Sequence, residues 1–133
     1  MAEKSVIIDS SVLIALINGE KGAEFVKRLL SNAVMSSVNI AEVIGVMTSQ
    51  YSCPEDEIID SIQEAIKTVI PFTLEQAKIA GNLEKVSKEQ KLGLSLGDRA
   101  CISLGVLLSV TVYTADKIWQ ELKYDGSRIK LIR

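Results

Sequence analysis

At 133 residues and 47% apolar side chains, the chain has the size of one compact domain that fills its own core without disulfides or a structural metal. Fifteen basic residues against 17 acidic ones leave a formal charge of −2, which excludes a strongly basic nucleic-acid clamp. The absence of histidine excludes histidine acid–base catalysis, the Ser-His-Asp triad and zinc–histidine hydrolases together, so hydrolytic chemistry here falls to carboxylates, which usually work by holding a hard cation.

Ser5 to Asp9 reads as a buried strand that ends in an acid, and Ser10 to Asn18 as a helix stopped by Asn18-Gly19. These apolar stretches are far shorter than the roughly 20 residues of a membrane span, and no secretory leader pattern precedes them, so a soluble, cytoplasmic protein is expected. Gly22 to Leu30 is amphipathic, with Phe25, Leu29 and Leu30 on one face, and Ala33 to Ser36 is a second strand. Asn39 then opens a helix over Ile40 to about Gln50, its Asn-Ile-Ala-Glu42 start resembling a capping box. Pro54 before three acids starts the next helix, which runs to about Ile66. Thr68 to Phe72 is a third strand, and the helix begun by Thr73-Leu-Glu-Gln76 stops before Gly93. Ser95-Leu-Gly-Asp98 caps a helix through about Leu107, Val110 to Thr114 is a fourth strand, Asp116 to Leu122 a short helix, and Ile129 to Ile132 a fifth strand. Cys53 and Cys101 lack metal-type spacing, and Cys101 reads as a plain buried residue.

Strands too apolar to face water, alternating with helices, define an α/β domain around a parallel sheet, whose ligands gather beyond the carboxyl ends of the strands. Asp9 ends the first strand, Asp116 follows the fourth, and Glu42 and Asp98 each fall in the first turn of a helix. All four acids therefore belong to one predicted sheet edge. Clustered carboxylates repel and raise one another's pKa unless a cation sits between them, and all-oxygen ligation suits Mg²⁺ or Mn²⁺. Each acid also has a structural use: Glu42 and Asp98 fit capping boxes with Asn39 and Ser95, and Asp116 fits an N-cap. Asp9, closing an Ile-Ile strand, is the hardest to account for structurally.

The four acidic motifs, in this order, resemble those of a PIN domain. Val-Ile-Ile-Asp9-Ser-Ser-Val-Leu-Ile-Ala-Leu looks like the opening strand and helix of that family. Ser-Val-Asn-Ile-Ala-Glu42-Val, Ser-Leu-Gly-Asp98-Arg-Ala-Cys-Ile-Ser-Leu-Gly and Val-Tyr-Thr114-Ala-Asp116-Lys look like the second, third and fourth motifs. The length suits a VapC-type toxin of a toxin–antitoxin pair. The resemblance implies a three-layer α/β/α PIN-like domain over residues 1–133 around a parallel sheet of about five strands. It further implies Mg²⁺- or Mn²⁺-dependent endoribonuclease activity, a homodimer and an antitoxin partner. Asp9, Glu42, Asp98 and Asp116 are then the metal-holding catalytic acids, and Ser11 and Thr114 polar residues that steady the site. The chain departs from the pattern after Asp116, where some members carry a further acid and this one continues Lys117-Ile118-Trp119.

On this reading a bound ion activates a water for in-line attack on an RNA phosphodiester and leaves a 5′-phosphate, with Glu42 orienting the water and Arg99 and Lys117 near the phosphates. A phosphoacceptor receiver domain is excluded, because Asp9 has no acidic neighbour and no acid follows the third strand before Glu75. A haloacid-type phosphatase is excluded by Ser11, which stands where a second Asp is needed. A non-catalytic RNA- or protein-binding PIN-like module remains the alternative, as does a housekeeping RNA-processing nuclease.

Overall fold

In the computed structural model, which describes residues 5–133, strands and helices alternate along the chain. They are β1 (Val6–Ile8), α1 (Ser10–Ile17), α2 (Ala23–Leu29), β2 (Ala33–Ser36), α3 (Ser37–Ser49), α4 (Glu55–Ala65), β3 (Thr68–Ile70), α5 (Leu74–Gln90), α6 (Leu96–Leu108), β4 (Val112–Thr114) and β5 (Ile129–Leu131). Short 3-10 turns occupy Leu30–Asn32 and Lys117–Glu121. All strand pairs are parallel, in the order β3-β2-β1-β4-β5. The fold is thus the expected five-stranded α/β/α sandwich.

Alternate side chains of the central strands feed two cores, as the two-residue period of a strand demands. Ile8 and Met35 join Val12, Leu13, Val26, Val43, Met47, Ile58 and Ile62 of α1–α4 on one face. Ile7, Val34 and Val112 join Leu83 of α5, Cys101, Ile102 and Leu104 of α6, and Trp119 on the other. Gly105 lets α6 lie close to β4, since a Cβ there would run into the Val112 side chain.

Three details differ from the sequence expectation. Helix α3 begins at Ser37, not after Asn39, because the Ser36 hydroxyl at the end of β2 already accepts the Val38 N–H as N-cap. Asn39 is consequently inside the helix, Glu42 lies in its second turn, and no capping box joins them. Strand β3 stops at Ile70, before Pro71, which has no N–H to donate, and as an edge strand it exposes Thr68 and Val69 to solvent. The segment after Asp116 is a 3-10 turn and not an α-helix. Among the described residues, no helix is long and apolar enough to cross a membrane.

Candidate active site

Chain direction places the carboxyl ends of β1, β2 and β4 on one edge, and the first-predicted acid leaves β1 there. Asp9 is the N-cap of α1, its Oδ1 accepting the Val12 N–H at 3.1 Å. The Ser11 hydroxyl donates to the same oxygen at 2.6 Å, and the Thr114 hydroxyl donates to Oδ2 at 2.7 Å. Both hydroxyls also work as acceptors: Ser11 Oγ receives the Ala115 N–H and Thr114 Oγ1 the Asp116 N–H. They therefore stitch the β1 end to the β4 end around one carboxylate. Asp9 is 4% exposed, and burial pushes its carboxyl up from 3.8 to about 6. The three hydrogen bonds oppose that rise without cancelling it, and the Asp98 charge adds to it.

Asp98 reaches the same edge from the first turn of α6. Ser95 and Asp98 form a complete capping box, Ser95 Oγ accepting the Asp98 N–H at 3.1 Å and Asp98 Oδ2 the Ser95 N–H at 3.0 Å. Burial holds its carboxyl above the usual range, the hydrogen bonds from Ser95 pull it down, and the nearby charges of Glu42 and Asp116 raise it further. Asp116 caps the 3-10 turn, its Oδ1 accepting the Ile118 N–H at 3.1 Å. Cys101 lies buried beneath, its thiol pushed up by burial and then by Asp9, Asp98 and Glu42. Asp98 is thus the acid at which the charges of the others meet.

Glu42 is held differently. Its Oε1 accepts from the Asn39 amide Nδ2 at 2.8 Å, and the same Nδ2 donates to the Gly97 carbonyl at 3.1 Å. The carboxylate fills the space beside Gly97 where any other residue would carry a Cβ. Asn39 Oδ1 is buried with no hydrogen-bond partner among the described residues, an arrangement that costs about 1–3 kcal/mol.

Ser11 and Thr114 sit where the motif reading expected them. Arg99 does not face a substrate freely. Its guanidinium is 2.8 Å from Glu84, and it donates to the Ala80 and Leu94 carbonyls, tying α6 to α5. Lys117 is exposed next to Asp116. Sequence reading took Asn39 for a cap and passed over Gly97. The signal for Asn39 was its three-residue spacing from Glu42, which inside a helix puts two side chains on one face as readily as it makes a cap.

The donor chemistry fits a hard divalent cation: all four acids offer oxygen, and the Asp9 and Asp98 carboxyls are raised first by burial and further by neighbouring carboxylates. Among the described residues no three acids are already drawn together tightly enough to hold an ion.

A family model for the PIN domain matches residues 6–123, and the chain belongs to that family. Its fold is shared with toxin–antitoxin proteins of known structure. VapBC2 of Rickettsia felis, bound to a DNA fragment from its promoter, is 16% identical with a TM-score of 0.74, covering 95% of this chain and 97% of that one. DNA-bound VapBC of Salmonella typhimurium is 14% identical with a TM-score of 0.75, covering 98% and 100%. The Mycobacterium tuberculosis toxin VapC20, described as cleaving the sarcin-ricin loop, is 16% identical with a TM-score of 0.72, covering 93% and 99%. No curated protein sequence matches the chain.

Proposed function

We propose that this chain, read as one PIN-like domain over residues 1–133, is a metal-dependent endoribonuclease and the toxin of a VapBC-type pair. The observation that supports the reading is that Asp98 shares its electrostatic surroundings with Asp9, Glu42 and Asp116, acids from four separate parts of the chain. Asp9, Asp98 and Asp116 would hold the Mg²⁺ or Mn²⁺, with Glu42 completing the set. When bound, the cation supplies a water of lowered pKa and offsets charge at the scissile phosphate.

The protein groups do the rest. Ser11 and Thr114 fix the Asp9 carboxylate by donating to both of its oxygens, so it needs little reorganisation to ligate. Asp98 and Asp116 each spend one oxygen on a helix cap and keep the other for the cleft. Glu42 would orient the attacking water. Lys117, exposed next to Asp116, would meet a substrate phosphate, whereas Arg99 serves the α5–α6 scaffold. In-line attack by water leaves the 2′-hydroxyl unused and gives a 5′-phosphate product.

The structural likeness to toxin–antitoxin complexes supports an antitoxin as partner; a homodimer and a cytoplasmic site of action belong to the same proposal. The test is cleavage of a structured RNA pool by purified, antitoxin-free protein with Mg²⁺, Mn²⁺ or EDTA, beside Asp9→Asn. Metal-dependent cleavage leaving 5′-phosphate ends, abolished in the variant, is the expected result. Equal background in every lane from folded protein overturns the reading in favour of a binding module.

A further inference from the structure

We propose that Asn39 and Gly97 are a positioning pair for Glu42, the amide gripping its carboxylate from α3 and the bare Cα providing the space in which it rests. This deepens the reading of the acids as a cation site and rests on it. The orientation of the amide is not arbitrary. Both groups within reach of Nδ2, Glu42 Oε1 and the Gly97 carbonyl, are acceptors only, so the amide has one admissible setting and Oδ1 must point away. That leaves Oδ1 buried and unpartnered among the described residues. A side chain selected for helix stability alone would not accept this arrangement, because Asn is a poor helix former and an orphaned acceptor adds to the cost.

Gly97 gives the independent half of the case. It lies in the first turn of α6 and is not among the glycines with positive φ, so its backbone does not require glycine. Alanine would favour the helix. What alanine would displace is the Glu42 carboxylate, whose carbon and both oxygens stand where the added Cβ would go. Because Gly97 directly precedes Asp98, the Asn39–Gly97 bond also sets how far α3 stands from the start of α6, and with it the spacing of Glu42 from Asp98. Glu42 is the one acid of the four that caps nothing in the described residues, so this pair replaces the cap that steadies each of the others.

The experiment titrates Mn²⁺ by calorimetry into metal-free wild-type protein and into Asn39→Ala, Gly97→Ala and Glu42→Gln, singly and combined. Asn39→Ala and Gly97→Ala should each weaken Mn²⁺ binding about 10–100-fold. Neither should weaken it by more than about twofold further once Glu42 is already Gln, since the pair acts through that carboxylate. Equal losses in both backgrounds, or wild-type affinity in both single variants, overturn the proposal. Gly97→Ala leaves the core untouched, so it decides the matter if Asn39→Ala does not fold. A second arm needs no metal: in NMR spectra the Asn39 side-chain amide protons should exchange slowly with solvent and shift in Gly97→Ala. If the wild type binds no Mn²⁺, the nuclease reading fails and this arm judges the clamp alone. A slow, Gly97-sensitive amide then upholds it, and a fast-exchanging one overturns it.

Discussion

Asp9 is asked to cap a helix, bridge two strands and remain ready to ionise in a site that disfavours charge. Its carboxyl, raised from 3.8 to about 6, binds a proton more tightly folded than unfolded. Its contribution to stability is therefore full below about pH 4 and lost as pH rises through about 6, on the order of 3 kcal/mol in the metal-free protein. Urea denaturation of Asp9→Asn should accordingly show a variant that gains on its parent between pH 4 and 7, even as it loses catalysis. Thr114→Val removes the hydroxyl on Oδ2 at nearly constant volume, so the Asp9 midpoint should climb by about one unit. The acid limb of the pH–rate profile should move with it, and an unmoved limb would show that Asp9 ionisation does not limit the reaction. At this scale the settings of Asp9 and Glu42 differ from the sequence expectation. Asp9, the acid with the least obvious structural use in the sequence, is an N-cap; Glu42, which the sequence fits to a capping box, caps nothing among the described residues. A cap is written in three or four neighbouring residues, but the partner of Glu42 is a gap at Gly97, 55 positions on, and a missing Cβ leaves no pattern in the chain.

Strand and helix order was legible because period-2 and period-3.6 apolar patterns survive in a well-filled core. Boundaries were not, since they depend on local competition. Ser36 and Asn39 both suit an N-cap, and Ser36 takes the position because it is the last residue of β2, where the chain leaves the sheet before it reaches Asn39. The α6–β4 contact was equally hidden. Gly105→Ala should raise intrinsic helix propensity yet lower stability by about 1–3 kcal/mol, because the added methyl must displace the Val112 side chain. A higher melting temperature in that variant would show that the two elements have slack. The loop after the 3-10 turn is fixed to α5 by a reciprocal pair, Gln90 Nε2 donating to the Lys123 carbonyl and Gln90 Oε1 accepting the Lys123 N–H. Gln90→Ala should loosen that loop, measured as faster amide exchange at Lys123, with about 1 kcal/mol lost.

For the molecule as a whole, a cation that binds only the folded chain must stabilise it, by about 2.7 kcal/mol at one hundred times its dissociation constant. Mn²⁺ should therefore raise the melting temperature of the wild type by several degrees and leave that of Asp9→Asn unchanged. A shift of equal size in both would place the ion elsewhere. Trp119, the chain's sole tryptophan, is fully buried and offers a fluorescence readout for each of these transitions. The strand order has one consequence that concerns synthesis. β1 lies at the centre of the sheet and precedes its partner β4, which begins only at Val112, so a nascent chain carries Ile7 and Ile8 beside an empty strand edge until β4 is made. Thr114, which completes the hydroxyl support of Asp9, emerges later still. Fragments that end before β4 are thus born without the finished acidic edge and with a sticky strand exposed. A ribosome that stalls early on this message releases a substrate for proteases, not an active enzyme.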